Sequence, residues 1–167
     1  LQYMEQKKLF LLDAYALIFR AYHAMKYSPR FTSGGMNTSA IFGFVNTLEE
    51  VLRKENPTHI AVCFDPAGKT FRHEMFADYK AGREATPEDI KVAVPYIKDI
   101  IRAYGIPVVE KEGYEADDVI GTLATMIMQS STLVSVLAIS IARKAAAIGV
   151  PNRAEKAAEI PLMSMIF

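Results

Sequence analysis

The chain has 167 residues, of which 51% are apolar, a normal size for one compact domain with a real hydrophobic core. Lysine plus arginine and aspartate plus glutamate number 19 each, so no global electrostatic field favours nucleic acid or any other charged partner. The single cysteine, Cys63, excludes an internal disulfide and fits a reducing cytoplasm. A charged ligand must therefore be met by a local patch of residues.

Apolar runs that end in turn residues alternate with longer amphipathic stretches along the first two thirds of the chain. The runs at residues 9–12, 60–64 and 106–109 are predicted strands. Strands that alternate with helices are typical of a parallel sheet whose faces are covered by those helices. The sequence therefore predicts an α/β domain with a mostly parallel central sheet and helices on both faces.

Two crossover helices are predicted between these strands. The first has Thr38 or Ser39 as its N-cap and stops before Pro57.

The second crossover helix is predicted from its proline and glycine positions. Thr86 is its expected cap, Pro87 its first helical residue and Gly105 its end. Pro95 lies inside this stretch and is expected to kink the helix or divide it.

Acidic side chains follow all three predicted strands. Asp13 follows the first strand, Asp65 follows the second, and a short loop after the third leads to Glu115, Asp117 and Asp118. Because the carboxyl ends of parallel strands share one edge, where ligands bind, we expect these carboxylates to converge. Converging like charges need compensation, and ligands that are all oxygen favour Mg²⁺ or Mn²⁺ over zinc. The sequence therefore predicts a divalent metal site at this edge.

A plain helix start is the alternative for residues 115–118, because the helix dipole favours acids in a first turn. The coincidence of three strand ends favours the metal site instead. Helical spacing places Glu115 and Asp118 on one face, whereas Asp117 points elsewhere and would act through water or on a second ion.

The segment from residue 66 to residue 86, called the cationic segment below, interleaves cations with aromatic residues. Its members are Lys69, Phe71, Arg72, His73, Phe76, Tyr79, Lys80 and Arg83. Cations that meet phosphates and aromatics that stack on bases are typical of a surface that binds single-stranded nucleic acid. The alternative is a solvated loop with its aromatics in the core, and His73 has no partner that suggests catalysis.

Three blocks of sequence carry a family resemblance: LFLLDAYALIFRAYHA, FDPAGKTFRHEMFADYKAGR and GIPVVEKEGYEADDVIGTLA. Together they resemble the N-terminal 5′ nuclease domain of bacterial DNA polymerase I, within the wider flap endonuclease family, over about residues 7–124. The resemblance implies a resolvase-like or PIN-like fold, incomplete at the C-terminus. It also implies metal-dependent hydrolysis of DNA near a 5′ end or 5′ flap, in cytoplasmic replication and repair, with no membrane and no obligate protein partner.

Site residues follow from the same resemblance by motif. Metal binding with Mg²⁺ or Mn²⁺ is implied for Asp13, Asp65, Glu115, Asp117 and Asp118. Catalytic contacts with the phosphate, at the base of a helical arch, are implied for Arg72, Lys80 and Arg83. Substrate binding is implied for Lys69, Tyr79 and Tyr22. The implied mechanism is two-metal hydrolysis, with one ion activating water and the other stabilising the leaving oxygen.

The chain departs from its family after residue 124. We predict a nuclease domain over residues 1–124 and a divergent tail without family match over residues 125–167. The acids of the family's second metal site are missing, because no aspartate follows Asp118 and only Glu155 and Glu159 are acidic beyond it. Activity is therefore expected to be impaired, and the alternative is a noncatalytic DNA-binding fragment.

Other features of the chain leave further alternatives open. Residues 119–142 carry no charge, but Gln129 and several serines and threonines argue against a membrane span, so an apolar cover for the sheet or an out-of-frame end is expected. Residues 149–158 are similar to the family's DNA-gripping hairpin, as a remnant or by chance. A phosphoacceptor signalling module would need an adjacent acidic pair after the first strand, whereas Asp13 precedes Ala14.

Overall fold

The computed structural model describes residues 7–130 and 134–139. The elements along the chain are β1 (Lys7–Asp13), α1 (Ala14–Ala24), α2 (Ser39–Glu55), β2 (His59–Phe64), α3 (Phe71–Met75), α4 (Glu88–Ala103), β3 (Val108–Glu110), α5 (Ala116–Ser130) and β4 (Val134–Ile139). Thr38 is the N-cap residue of α2, as expected, although its side chain makes no capping hydrogen bond.

The four strands form one sheet in the order β3-β2-β1-β4, and every neighbouring pair is parallel. Leu12 of β1 pairs with Val62 of β2 on one side and with Ile139 of β4 on the other. The predicted parallel sheet is therefore confirmed. Strand β4 was not predicted, and it places residues 134–139 beside β1.

Helices cover both faces of the sheet, as the sequence predicted. On one face Leu12 packs in a buried cluster with residues of α1, α2 and α4 such as Phe44 and Ile97. On the other face Leu11 packs with α5 residues such as Ile120. Adjacent residues of a strand point to opposite faces, so the buried stretches 9–12 of β1 and 61–64 of β2 are apolar at every position because both of their faces are covered.

Strand β3 begins later than expected, at Val108 instead of residue 106. The Ile106 amide donates to the Ile101 carbonyl at 3.1 Å and so completes the end of α4. Pro107 has no amide hydrogen, but its carbonyl accepts a hydrogen bond from Val62 N at 3.0 Å. Because β3 extends to Glu110, a further acid stands at the carboxyl edge of the sheet.

Helix α4 differs from its prediction at two places. It begins at Glu88, so Pro87 is the N-cap residue and Thr86 lies outside the helix. Pro95 does not divide it, since α4 is continuous from Glu88 to Ala103. A proline removes one backbone hydrogen bond, but the fully buried Ile97 and Ile101 anchor the second half of the helix to the core.

Among the described residues, no helix combines the length and the apolar character needed to cross a membrane. Within the uncharged stretch 119–142, residues 119–130 lie in α5 and residues 134–139 form β4. The hairpin-like segment at 149–158, which includes Glu155, lies outside the described residues, as does Glu159.

Candidate metal centre

The acids that end β1 and follow β2 are each held by the backbone at the start of a helix. Asp13 is the N-cap residue of α1, and its Oδ1 accepts a hydrogen bond from Ala16 N at 3.0 Å. Asp65 Oδ1 accepts from Ala116 N at 2.7 Å, although the two residues are 51 positions apart. Because Ala116 is the first residue of α5, this bond brings the start of α5 to the ends of β1 and β2. Asp13 and Asp65 are called the strand-end acids below.

The start of α5 is closed by a reciprocal pair of hydrogen bonds. Glu115 N donates to Asp118 Oδ2 at 3.0 Å, and the Glu115 carbonyl accepts from Asp118 N at 3.0 Å. The bond from Glu115 N to the Asp118 side chain is one half of a capping box, in which a side chain three residues on satisfies the amide of the capping residue. Asp118 therefore has the helix-start role that the plain alternative proposed, and the metal-site role does not exclude it.

Two cations of the cationic segment fold back onto the acids of α5. Arg72 donates to both oxygens of Asp118, from Nη1 to Oδ2 at 2.5 Å and from Nη2 to Oδ1 at 2.6 Å. Lys80 Nζ lies 2.7 Å from Glu115 Oε1, and the Tyr79 hydroxyl donates to Glu115 Oε2 at 3.2 Å. Glu115 and Asp118 are called the salt-bridged acids below.

Electrostatic effects differ across the edge. The hydrogen bonds to Asp118 raise the pKa of the Arg72 guanidinium above its usual value, so its charge is fixed. Burial raises the pKa of the Tyr79 phenol, and the Glu115 charge adds to this, while Arg72 and Arg83 oppose it. The phenol therefore stays protonated and can donate to Glu115.

Repulsion remains on the side of the strand-end acids. Burial raises the pKa of Asp13, the hydrogen bond from Ala16 opposes this, and the charges of Asp117 and Asp65 raise it further. Among the described residues, no cation forms an ion pair with Asp13 or Asp65. Asp117 is exposed, and its charge raises the pKa of Asp13. The carboxylates of Glu115 and Asp118 both approach Arg72 instead. The helix therefore places Asp117 on a different side from them.

The donors at this edge suit a hard divalent cation, because all five predicted ligands are carboxylates. In the described part of the chain, however, no group of three or more histidine, cysteine, aspartate or glutamate side chains is placed so that it could hold a metal ion. The oxygens of the salt-bridged acids are engaged instead by Arg72, Tyr79 and Lys80. The chemistry of the donor set therefore fits a metal, while its geometry here is that of acids paired with internal cations.

Two residues that sequence reasoning missed also stand at this edge. Glu110 ends β3 and pairs with Lys98 at 2.5 Å, and the Lys98 ammonium lies 4.8 Å from the centre of the Phe64 ring. Tyr15 packs edge-on against Phe64 at 6.0 Å, and burial, followed by the charges of Asp65 and Glu110, raises its pKa. Glu110 could have been found by the rule that found Asp13 and Asp65, because it directly follows a predicted strand.

The remaining predicted substrate residues are not brought to the acids. Lys69 and Arg83 are exposed, and neither forms an ion pair with a described residue. Tyr22 is half-buried on α1, packs against the core and meets His23 edge-on at 5.4 Å. It lies nine positions after Asp13, roughly 13 Å along the helix axis. Of the residues predicted to be catalytic or to bind substrate, those that contact the acids are therefore Arg72, Tyr79 and Lys80.

Comparisons with known proteins agree with this architecture. A family model described as the 5′-3′ exonuclease, N-terminal resolvase-like domain matches residues 8–142. The DNA polymerase I of Bacillus caldotenax is 42% identical over 132 residues, which make up 79% of this chain and 15% of that protein. The 5′-3′ exonuclease of Aquifex aeolicus (strain VF5) is 41% identical over 130 residues, 78% of this chain and 44% of that protein. The chain thus spans less than half the length of these relatives, and the family match continues past residue 124.

Solved structures show the same fold at lower identity. The T5 D15 protein co-crystallized with metal ions has a TM-score of 0.53 and 20% identity, over 80% of this chain and 48% of that one. The T5 5′-exonuclease with bound divalent zinc ions has a TM-score of 0.52 and 19% identity, over 80% of this chain and 55% of that one. The resolvase-like 5′ nuclease fold is thereby confirmed.

Proposed function

The chain belongs to the family of 5′-3′ exonuclease N-terminal, resolvase-like domains, and from this membership we propose that it is a divalent-metal-dependent nuclease. It would hydrolyse DNA phosphodiester bonds near a 5′ end or at a 5′ flap, in replication and repair of the polymerase I type. A cytoplasmic location is part of the same proposal. The family resemblance predicted from the three sequence blocks is confirmed by the family match and by the relatives above 40% identity.

The meeting of acids and cations from distant parts of the chain at one sheet edge supports this proposal. The Asp65 bond to the first amide of α5 joins two of the acidic groups, and the Arg72 bonds to Asp118 join the cationic segment to them. A nuclease needs carboxylates for metal and cations for phosphate within reach of one bond. This edge of the sheet supplies both kinds of group.

Roles can be proposed for the side chains at the edge. The metal would be held by Asp13, Asp65, Glu115, Asp117 and Asp118. Mg²⁺ or Mn²⁺ bound there would supply an activated water and stabilise the leaving oxygen. Arg72 and Lys80 would neutralise negative charge on the reacting phosphate, and Arg83 would reach the same phosphate from the exposed side. Contacts with the DNA strand beyond the reacting phosphate would come from Lys69, Tyr79 and Tyr22.

A noncatalytic DNA-binding fragment is the second candidate, and the end of β4 favours it. Ile139, the last described residue of β4, pairs with Leu12, the residue before Asp13. The sequence continues with Ser140 and two apolar residues, so no carboxylate follows the strand there, unlike after β1 and β2. The predicted division at residue 124 stays a prediction.

Cleavage of a 5′-flap duplex separates the two candidates. A duplex labelled on its flap is incubated with the chain in MgCl₂, MnCl₂ or EDTA, beside a duplex with a 3′ flap. The nuclease proposal expects 5′-flap product that requires the metal and is lost in Asp65→Asn, a variant that keeps an oxygen to accept from Ala116 N. Equal product from both proteins would point to contamination and contradict the proposal. Salt-sensitive binding of the duplex without cleavage would support the second candidate.

A further inference from the structure

All four side-chain oxygens of the salt-bridged acids accept hydrogen bonds within the chain. Asp118 Oδ1 accepts from Arg72, and Asp118 Oδ2 accepts from Arg72 and from Glu115 N. Glu115 Oε1 accepts from Lys80, and Glu115 Oε2 accepts from Tyr79. A metal ion that used these oxygens would have to displace the cations first.

These contacts are shielded from solvent, unlike the ion pairs on the protein surface. The side chains of Glu115 and Lys80 are 10% and 21% exposed, whereas those of Arg102 and Asp99 in a surface pair are 59% and 76% exposed. Shielded ion pairs interact more strongly than exposed ones and are screened less by salt. The contacts of Arg72 and Lys80 are therefore expected to be screened less by salt than the surface pairs.

The backbone of Lys80 indicates a state that other contacts hold in place. Its φ is 61°, in the left-handed region that lysine rarely adopts. Such conformations persist where surrounding contacts over-determine them, and they cluster at switch regions and ligand clamps. In this conformation Lys80 forms the ion pair with Glu115 and accepts a turn hydrogen bond from Arg83 N at 3.0 Å.

We propose that Arg72 and Lys80 are internal counter-ions that close Glu115 and Asp118 to metal until DNA phosphates draw them away. This inference rests on the proposed function, because it assigns the same acids to metal and the same cations to phosphate. The planar fork of Arg72 that binds both oxygens of Asp118 fits a phosphate equally well. Each phosphate contact thus releases carboxylate oxygens that a metal can bind.

Because Arg72 and Lys80 would exchange carboxylate partners for DNA phosphates, the binding of metal is coupled to the binding of DNA. DNA raises the affinity for metal, and by thermodynamic reciprocity metal raises the affinity for DNA by the same factor. Couplings of this kind change affinity by about 5- to 150-fold. In the absence of DNA the counter-ions keep Glu115 and Asp118 neutralised without a metal.

Titration of the whole chain with MnCl₂, with free Mn²⁺ read by electron paramagnetic resonance, tests the first half of this inference. Arg72→Gln and Lys80→Gln should each bind Mn²⁺ at least about fivefold more tightly than the wild type without DNA, because carboxylate oxygens are released. The matched controls are Arg102→Gln and Lys54→Gln, which remove the same charges from exposed pairs. Unchanged or weaker binding by both test variants, or an equal gain in the controls, would overturn the inference.

Titration in the presence of DNA tests the second half. The probe is a 5′-flap duplex with phosphorothioate linkages that resist cleavage, and the Mn²⁺ bound by the duplex alone is subtracted. Wild-type affinity for Mn²⁺ should rise by about fivefold or more with this duplex, and the rise should be smaller in Lys80→Gln. Equal wild-type affinity with and without the duplex would overturn the coupling.

Folding and activity readouts keep the outcomes distinct. Circular dichroism and thermal unfolding establish the folded fraction of each variant, and Lys80→Gln supplies the test if Arg72→Gln is poorly folded. Flap cleavage by the wild type without tighter Mn²⁺ binding in the variants would overturn the counter-ion role of Arg72 and Lys80 and would still support the nuclease activity. Coupled binding of Mn²⁺ and DNA without cleavage would support the counter-ion role and contradict the proposed nuclease activity.

Discussion

Two pairs of acids stand at the same edge of the sheet and are stabilised in different ways. Glu115 and Asp118 are contacted by cationic side chains that neutralise them. Asp13 and Asp65 accept hydrogen bonds from backbone amides, and among the described residues no cationic side chain pairs with them. Backbone amides supply donors without a full positive charge, so repulsion persists on the side of the strand ends. One acidic cluster therefore contains both a compensated half and an uncompensated half.

The uncompensated half is where an external cation gains most. Burial raises the pKa of Asp13 most, and repulsion from the charges of Asp117 and Asp65 raises it further. A divalent ion bound at the strand-end acids would relieve that repulsion. At the salt-bridged acids the same ion must replace Arg72 and Lys80. The two halves are therefore expected to respond in opposite ways to substitution.

The largest expected effect is on cleavage, in the uncompensated half. Asp65→Asn should lower the rate of 5′-flap cleavage by at least about 100-fold, because it removes a charged metal ligand while keeping the acceptor for Ala116 N. Rates at saturating MnCl₂ measure this, with Asp99→Asn as a control at an exposed acid. Affinity for the duplex in EDTA should stay within about twofold. Full activity of Asp65→Asn would remove the strand-end acids from the mechanism.

The next effect is on stability, in the compensated half. Arg72→Ala should lower the free energy of unfolding by about 1–3 kcal/mol, since it leaves Asp118 without its two strongest donors in a shielded site. Urea unfolding without metal measures this against Arg102→Ala, which is expected to change stability by less than about 0.5 kcal/mol. Equal losses in the two variants would mean that the shielded pair is worth no more than a surface pair.

A smaller effect of opposite sign is expected at the strand ends. Asp13→Asn should raise the free energy of unfolding by a few tenths to about 1 kcal/mol without metal, because it removes a charge that Asp65 and Asp117 repel. Asparagine still caps α1 through the oxygen that accepts from Ala16 N. Thermal unfolding in EDTA measures the change. Destabilisation by this substitution would show that the strand-end acids are compensated after all.

The smallest effect concerns cations that do not touch the acids. Lys69→Gln and Arg83→Gln should each weaken DNA binding uniformly across sequences and reduce the slope of log affinity against log salt by about 1. Fluorescence anisotropy of a labelled duplex at several salt concentrations measures this. Metal affinity without DNA should stay at the wild-type value, in contrast to Arg72→Gln. A gain in metal affinity in either variant would contradict the expectation that only cations paired with the acids affect metal binding without DNA.

The strand-end positions could be predicted from the sequence because they follow from simple rules. Apolar runs that end in an acid placed Asp13 and Asp65 at the edge, and the parallel sheet is confirmed. Glu110 obeys the same rule, because it comes directly after the predicted run at 106–109, and β3 extends by one residue to include it. Rules of local spacing therefore account for most of the fold and for the location of the candidate site.

The cation contacts could not be predicted in the same way. Arg72 and Asp118 are 46 positions apart, and the cationic segment has no regular periodicity that fixes where its side chains point. Pairing of β4 with β1 likewise joins residues distant in sequence, and β4 is too short and apolar to be told from a helix by its pattern. Tertiary contacts decide both features.

Crystals of the chain soaked in MnCl₂ test the central claim most directly, through the anomalous scattering of manganese. We expect an anomalous peak at the carboxyl edge of the sheet, with carboxylate oxygens of Asp13 and Asp65 about 2–2.5 Å from the ion. A peak should be absent at that place in Asp65→Asn crystals soaked in the same way. Manganese bound only elsewhere in the wild-type protein, or no bound manganese at saturating concentration, would contradict the account.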